Sequence, residues 1–160
     1  MILVLLGTQN NDFHRLLNEI EKNIIDGNIK DEVVVQAGFT KYKSCNMSLF
    51  EMVTKDRLNE LVKNADLIIT HAGLGSIEMS LEQGKKVIAV PRLKKYGEHV
   101  NDHQKDIAKE FNKKGWIIGL EDVSDLKEGL ERAKSFVPKK YITPKNKEIV
   151  NLIKTFIDKI

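Results

Sequence analysis

A turn that carries two glycines, Gly73-Leu74-Gly75, is the part of the sequence best suited to bind an anion. It follows a strand-like apolar run at 66–70 and precedes a helix-like segment at 76–83. Glycine lets backbone N–H groups approach a phosphate closely, and a helix N-terminus adds partial positive charge at the same place. We expect the phosphate to be bound by the N–H groups of Gly75, Ser76 and Ile77, with the Ser76 hydroxyl capping the helix or joining them. The alternative is that the glycines only shape a tight turn.

Polar side chains follow the next predicted strand, in the run from Gly97 to Gln104. His99 and His103 are four residues apart and Asp102 lies between them, which allows a metal site, but the run offers no convincing third ligand. Helix capping is the commoner use of such residues. We expect instead that Asp102, His103 and Gln104 reach the ligand from a helix start and hydrogen-bond a sugar or ribose.

Two charged or titratable residues border these segments. Arg92 begins a basic loop at 92–97, of the kind that closes over a phosphorylated ligand. His71 ends a predicted strand at the pocket edge, where a structural hydrogen bond and a ligand contact remain open alternatives.

The two glycines also invite a dinucleotide-binding interpretation, because Gly-x-Gly after a strand begins the Rossmann fingerprint. Glu78 occupies the third glycine position, and the turn lies in the middle of the chain. No acidic residue follows the next strand at about 20 residues, where the fingerprint needs one for the ribose. A nucleoside diphosphate therefore fits the turn better than NAD.

Strands and helices alternate along the chain. The predicted strands are 1–6, 32–37, 47–53, 66–70, 86–90 and 116–119, and the predicted helices are 12–25, 55–64, 76–83, 101–114, 124–135 and 145–160. Such alternation with nearly continuous apolar strands predicts an α/β fold, an open, doubly wound parallel sheet of the Rossmann-like type. Ligands of open sheets bind outside the carboxyl ends of the strands. Because the Gly7-Thr8 turn also follows a strand, both glycine turns should lie at the same edge.

Length and composition favour a single soluble domain over 1–160, with 138–160 as a C-terminal linker and helix. The one cysteine, Cys45, excludes a disulfide within the chain and fits a reducing cytoplasm. Residues 1–6 lack a basic leader, so they predict a first strand, and no apolar run approaches the roughly 20 residues of a membrane span. A net charge of +3 gives no reason to expect nucleic acid. Six lysines after Pro138 form a basic tail, either a solvated helix face or a peripheral contact with an anionic membrane or acidic partner.

Four motifs together resemble the C-terminal domain of family-28 glycosyltransferases. They are His-Ala-Gly-x-Gly-Ser-Ile from His71, Leu-Glu-x-Gly-Lys from Leu81, Val-Pro-Arg from Val90 and Gly-Glu-His-x-x-Asp-His-Gln from Gly97. The resemblance covers nearly the whole chain. It is closest to the small stand-alone form, the donor-binding subunit of two-subunit transferases. Such two-subunit transferases include the dolichol-linked N-acetylglucosaminyltransferase and its bacterial counterparts in capsular and exopolysaccharide synthesis.

The resemblance implies the donor lobe of a GT-B glycosyltransferase, which binds a UDP-sugar without a metal or other cofactor. The family's phosphate-binding positions match Gly7, Thr8, Gly73, Gly75 and Ser76, and its sugar-binding pair matches His103 and Gln104. The family often holds the ribose with a glutamate where this chain has Met79. Glu78 lies one position early and points about 100° away on a helix, whereas Glu82 lies one turn further on.

The implied reaction is inverting transfer of a hexose from a UDP-sugar to a lipid-linked saccharide. Helix N–H groups and Arg92 would stabilise the leaving UDP. The sequence offers no general base, which the resemblance assigns to a membrane-anchored, acceptor-binding partner. That partner would recruit this cytoplasmic chain to the cytoplasmic face of a membrane. The alternatives are a non-catalytic regulatory or targeting subunit with the same fold, and a nucleotide-dependent epimerase or dinucleotide enzyme.

Overall fold

The computed structural model describes residues 1–142, which form six strands and five α-helices. The predicted helix at 145–160, and with it most of the basic tail, lies outside the described residues. The strands are β1 (Ile2–Leu5), β2 (Val33–Gln36), β3 (Ser48–Phe50), β4 (Leu67–Thr70), β5 (Lys86–Ala89) and β6 (Ile118–Gly119). The helices are α1 (His14–Ile25), α2 (Lys55–Asn64), α3 (Leu74–Glu82), α4 (His103–Lys113) and α5 (Leu126–Ser135).

All six strands pair in parallel in the order β3-β2-β1-β4-β5-β6. The predicted α/β fold with a doubly wound parallel sheet is thus confirmed. The order reverses between β1 and β4, where Leu5 is in register with Thr70. Connections leave these two strands toward opposite faces, so a crevice opens between them at the carboxyl edge.

Each face of the sheet buries its own hydrophobic layer, because side chains alternate along a strand while helices cover both faces. Val4, Val35 and Ile88 pack with the apolar stripe of α1 and with α5. Leu3, Leu5 and their neighbours on β4 and β5 pack under α2, α3 and α4. The two layers fix the strand register and thereby the positions of the loops at the carboxyl edge.

The helix boundaries differ from the predicted ones mainly at N-termini. Helix α1 begins at His14 because the Thr40 hydroxyl accepts the N–H of Phe13, 3.0 Å away, and makes Phe13 the N-cap. Helix α3 begins at Leu74, two residues earlier than predicted, with Gly73 as its N-cap. Helix α2 has the predicted bounds, with the Thr54 hydroxyl accepting the N–H of Arg57. Within residues 1–142, no helix has both the length and the apolar character to cross a bilayer.

Gly119 is required by packing between β6 and α4. A Cβ atom there would lie 2.9 Å from the carbonyl carbon of Ala108 and 3.0 Å from the Cβ of Asn112. We expect Gly119→Ala to lower the free energy of unfolding by about 1–3 kcal/mol, because backbone atoms must move. Urea denaturation would measure the change. Gly75→Ala is the matched control: a Cβ at Gly75 meets nothing within 4 Å, so equal destabilisation of both variants would refute the packing argument.

Candidate functional site

A cleft of about 360 Å³ lies at the carboxyl edge, where the strand order reverses. The loops after β1 and β4 form its floor, and helices α2, α3 and α4 contribute to its walls. Its lining residues are Gly7, Thr8, Gln9, Gln36, Leu58, His71, Gly73, Gly75, Ser76, Met79 and Gln104. The structure therefore brings together seven of the residues predicted from the sequence: Gly7, Thr8, His71, Gly73, Gly75, Ser76 and Gln104.

The N-terminus of α3 opens into this cleft. The helix begins at Leu74, two residues before the predicted start at Ser76. The first backbone hydrogen bond of the helix runs from the N–H of Ile77 to the carbonyl of Gly73 (3.1 Å). The N–H groups that precede this bond, those of Leu74, Gly75 and Ser76, have no partner within the helix. The prediction of a free N–H at Ile77 was therefore wrong, since that group is used by the helix and the side chain is buried. Ser76 is not the helix cap, although its side chain does line the cleft.

The turn that precedes α3 has strained backbone. Ala72, with φ of 62°, is the only non-glycine residue in the left-handed region within residues 1–142. Such conformations cost of the order of 1 kcal/mol and persist where the surrounding structure imposes them. Here the strain turns the chain sharply from β4 into α3, so that the helix N-terminus faces the β1 loop.

His71 holds the two glycine turns together. Its ring is 6% exposed, and Nδ1 lies 3.1 Å from the carbonyl oxygen of Leu5 at the end of β1. A Cβ at Gly7, whose φ is +76°, would lie 2.6 Å from Cε1 and Nε2 of this ring. A Cβ at Gly73 would overlap the same edge of the ring. The imidazole thus fills the space that side chains would need in both turns.

The electrostatic setting keeps this imidazole neutral. Burial and the nearby positive charge of Arg92 lower the pKa of His71 to about 4, against the opposing effect of its bond to Leu5. A neutral ring that donates from Nδ1–H to the Leu5 carbonyl presents Nε2 as an acceptor beside Gly7 and Gly73. His71 is therefore both a structural link and part of the cleft surface.

Arg92 does not line the cleft but lies beneath its floor. The side chain is 1% exposed, and Nη2 donates to the carbonyl of Leu6 at 2.7 Å, just before the Gly7 turn. Its guanidinium faces the ring of Phe13, 5.4 Å from the centroid, while Nε and Nη1 have no hydrogen-bond partner within residues 1–142. Burial lowers the pKa of Arg92. The charge supports the floor from behind and raises the positive potential there.

An ion-pair network fixes the loop between β5 and α4. Glu98 is buried and accepts two hydrogen bonds from Arg15, from Nε at 2.8 Å and from Nη2 at 3.0 Å. Arg15 also donates from Nη1 to Asp122 at 3.0 Å and stacks over Tyr96, 4.0 Å from the ring centroid. Glu98 further accepts the N–H of Leu93 at 2.9 Å. Three segments at the carboxyl edge are thereby clamped together.

Residues at the start of α4 face two different places, the cleft and the loop between β5 and α4. Gln104 lines the cleft, and its Oε1 accepts the N–H of Arg92 at 3.1 Å. Asp102 faces a separate groove instead and accepts the N–H of Lys94 at 2.8 Å, so it is not a cleft residue. His103 is half-buried beside them but is not part of the cleft lining. Within residues 1–142, no three His, Cys, Asp or Glu side chains are grouped to hold a metal ion.

Neither glutamate of α3 reaches the cleft. Glu78 accepts a hydrogen bond from the hydroxyl of Tyr141 at 3.0 Å, and burial together with this carboxylate raises the pKa of Tyr141. Glu82 is exposed beside Tyr141 on the same side of the helix. Met79, one turn after Gly75, lines the cleft, so the helix offers a thioether where the resemblance leads one to expect a carboxylate.

Sequence reasoning missed Gln9, Gln36 and Leu58 as cleft residues. Gln36 had a signal, because it is the polar last residue of an otherwise apolar strand and parallel strands end at the ligand edge. Leu58 had none, since an apolar residue on an amphipathic helix predicts core.

Comparisons with known proteins agree with this architecture. The sequence profile described as "Glycosyltransferase family 28 C-terminal domain" matches residues 1–158. A 64-residue segment, 40% of this chain, is 44% identical to the "UDP-N-acetylglucosamine transferase subunit ALG13" of Mus musculus. A 108-residue segment, 67% of this chain, is 32% identical to the protein of that name from Candida albicans. These segments make up 5% and 34% of the two relatives, so the chain spans well under half of their length.

Solved glycosyltransferases share the fold at low sequence identity. The glycotransferase of kitacinnamycin superposes with a TM-score of 0.61 and 15% identity, over 84% of this chain and 34% of its own. The glycosyltransferase SsfS6 from Streptomyces sp. SF2575, crystallised with thymidine diphosphate, gives 0.52 and 16% over 96% of this chain and 40% of its own. The described sheet thus has the fold of one lobe of a GT-B glycosyltransferase, as predicted.

The neutral His71 makes stability depend on pH. In the unfolded chain its pKa returns to about 6.5. As the pH falls from 6.5 toward 4, the unfolded state takes up a proton that the folded state does not, so stability decreases by up to about 3 kcal/mol. Urea unfolding between pH 7.5 and 4.5 would measure the slope. His71→Gln should be less stable at neutral pH and lack this part of the slope.

His14→Gln is the control, because it removes a half-exposed histidine that lies at the start of α1, pairs with Asp12 and is outside the cleft. That variant should keep the steep dependence of the wild type. An unchanged slope in His71→Gln would contradict the assignment of a neutral buried imidazole.

Proposed function

The chain belongs to the family of glycosyltransferase family 28 C-terminal domains, and on this premise we propose that it is the donor-binding subunit of an inverting glycosyltransferase. Its donor is a UDP-sugar, and a hexose is transferred to a lipid-linked acceptor in glycan or polysaccharide synthesis. The observation that carries the proposal is the single cleft in which the Gly7-Thr8 turn, the open N-terminus of α3 and Gln104 meet.

The centre of the cleft suits a diphosphate. The unpaired N–H groups of Leu74, Gly75 and Ser76 and the helix dipole favour negative charge, and Arg92 adds positive potential from below. Negative charge on the UDP increases as the glycosidic bond breaks. Donors fixed in the fold stabilise that charge without having to reorganise, which lowers the barrier to bond cleavage.

The two ends of the cleft differ in character. Gln104, on α4, offers its amide to the sugar, and His103 is the neighbouring candidate. Leu58 and Met79 form an apolar wall at the α2 side, suited to the nucleoside. In this proposal the backbone and the helix dipole hold the diphosphate, with neither a metal nor another cofactor supplied by the chain.

The acceptor and the general base belong to a partner in this proposal. Among the residues of the range 1–142 that line the cleft, His71 has the only titratable side chain, and its role in linking two turns leaves it buried. A base with so low a pKa is poorly matched to deprotonating a hydroxyl. A membrane-anchored, acceptor-binding subunit would therefore complete the site and hold this chain at the cytoplasmic face. The names of the curated relatives, each a transferase subunit, support this division.

Substitution at Gly75 tests the phosphate site. Gly75→Leu places a bulky side chain at the mouth of the cleft, where a Cβ meets nothing within 4 Å, so the fold is expected to survive. We expect at least a tenfold loss of UDP affinity by calorimetry, because the phosphate can no longer approach the helix N-terminus. Lys109→Leu, on the exposed face of α4, is the control and should bind UDP normally. Undiminished UDP binding by a folded Gly75→Leu variant would contradict the assignment of the phosphate site to the N-terminus of α3.

Substitution at Gln104 tests the sugar end. Gln104→Glu keeps an oxygen for the N–H of Arg92 but replaces the amide donor with carboxylate. With UDP-N-acetylglucosamine as the probe, we expect roughly a tenfold loss of affinity, and a smaller loss with UDP, because a hydrogen bond to the sugar is removed. Equal losses for both ligands would place the sugar elsewhere. Binding of NADH but not UDP would favour the dinucleotide enzyme, and binding of neither would favour the regulatory subunit.

A further inference from the structure

Gln36 is a largely buried polar residue whose side-chain amide makes no hydrogen bond within residues 1–142. The residue is 5% exposed, although it is the last residue of β2, and its only hydrogen bond outside the sheet within residues 1–142 is made by its backbone carbonyl, which accepts the N–H of Leu6 at 3.0 Å. The same side chain lines the cleft, together with Leu58 and Met79. The amide atoms are not among the fully buried, unpartnered side-chain atoms within residues 1–142, so they open into the cleft, where a ligand can reach them.

The register of the sheet explains why Gln36 faces the cleft. Strand side chains alternate, so Gln36 lies on the same face as Val34, the face that α2 covers. Its neighbours across the strands are Leu5 on β1 and Phe50 on β3. Gln36 is the last residue of β2, so its amide meets the cleft where the apolar layer ends. The amide is therefore a polar group at the end of an otherwise apolar face of the sheet.

The position of Gln36 also decides which part of a ligand it meets. β2 lies on one side of β1, and the α4 start that carries Gln104 follows β5, on the other side of β4. A diphosphate at the α3 N-terminus therefore has its sugar toward Gln104 and its nucleoside toward Gln36. β2 is one strand spacing, about 4.8 Å, from the strand that carries the Gly7 turn. The ribose, which is bonded directly to the diphosphate, falls within that distance, whereas the base extends further toward β3.

We propose that Gln36 hydrogen-bonds the ribose hydroxyls of the bound nucleoside diphosphate and so determines specificity at this end of the cleft. An amide both donates and accepts, which matches a pair of hydroxyl groups. The contact supplies, from β2, the polar partner that Met79 does not provide from α3. This inference rests on the proposed function, and it adds to it the residue that recognises the ribose.

The test compares ligands that differ only in the ribose. Binding of UDP, 2′-deoxy-UDP and 3′-deoxy-UDP is measured by calorimetry for the wild type, Gln36→Leu and Gln36→Glu. We expect the wild type to bind UDP several-fold more tightly than at least one deoxy analogue. Gln36→Leu should bind UDP about tenfold more weakly and lose the preference. Gln36→Glu, which accepts hydrogen bonds from hydroxyl groups, should retain it. Gln83→Leu, the same substitution at the C-terminal end of α3 and outside the cleft, should behave as the wild type.

Stability separates this role from a structural one. Because the amide makes no hydrogen bond within residues 1–142, Gln36→Leu should unfold at the same or a higher urea concentration than the wild type. A variant that keeps the preference for UDP, or that weakens all three ligands equally, would overturn the ribose assignment while leaving the proposed function intact. Failure of the wild type to bind UDP at all would overturn both.

Discussion

The contact on which the cleft depends is the packing of one imidazole between two loops that are far apart in sequence. His71 ends β4, yet its ring bonds to the carbonyl of Leu5 at the end of β1 and occupies the space that side chains at Gly7 and Gly73 would fill. The geometry is possible only because both positions are glycine and because the adjacent parallel strands end at the same level. The reversal of strand order separates the connections of β1 and β4 and opens the crevice. The histidine then fixes the distance between the β1 turn and the β4 turn, which border the crevice.

A second set of interactions positions the loop that follows β5. Arg15, Glu98 and Asp122 form a network in which Glu98 has three hydrogen bonds, two from Arg15 and one from the N–H of Leu93. A buried carboxylate with so many donors is well compensated, whereas one without its arginine would be strongly destabilising. The network fixes the same loop whose Arg92 supports the β1 turn and whose N–H binds Gln104. The positions of Arg92 and Gln104 therefore depend on an ion pair outside the cleft.

The sequence was informative about elements and edges, and less so about side-chain direction. The alternation of apolar strands and amphipathic helices was enough to predict the parallel sheet and to place both glycine turns at one edge. It could not predict that α3 starts at Leu74, because that depends on the strained turn at Ala72, and hence which three N–H groups are free. Three acidic residues were candidates by residue type: Asp102, Glu78 and Glu82. Asp102 accepts the N–H of Lys94 instead, Glu78 binds Tyr141, and Glu82 lies beside Tyr141 on the same side of α3. Arg92 was expected in the pocket and lies beneath it, because the carbonyl of Leu6 offers a buried acceptor.

The distribution of satisfied and unsatisfied polar groups separates the scaffold from the site. Around Arg15 nearly every donor has an acceptor, and that side of the carboxyl edge gains stability from its polar groups. Around the cleft, the first N–H groups of α3 and the amide of Gln36 make no hydrogen bond to any residue of the described range 1–142, while Ala72 adds backbone strain. The strain at Ala72 lowers the stability of the free protein, whereas the N–H groups and the amide open into the cleft. A ligand that binds these groups stabilises the folded state by mass action. The polar pattern of the cleft thus agrees with the chemistry of a nucleoside diphosphate, with oxygen atoms at its centre and hydroxyl groups at its side.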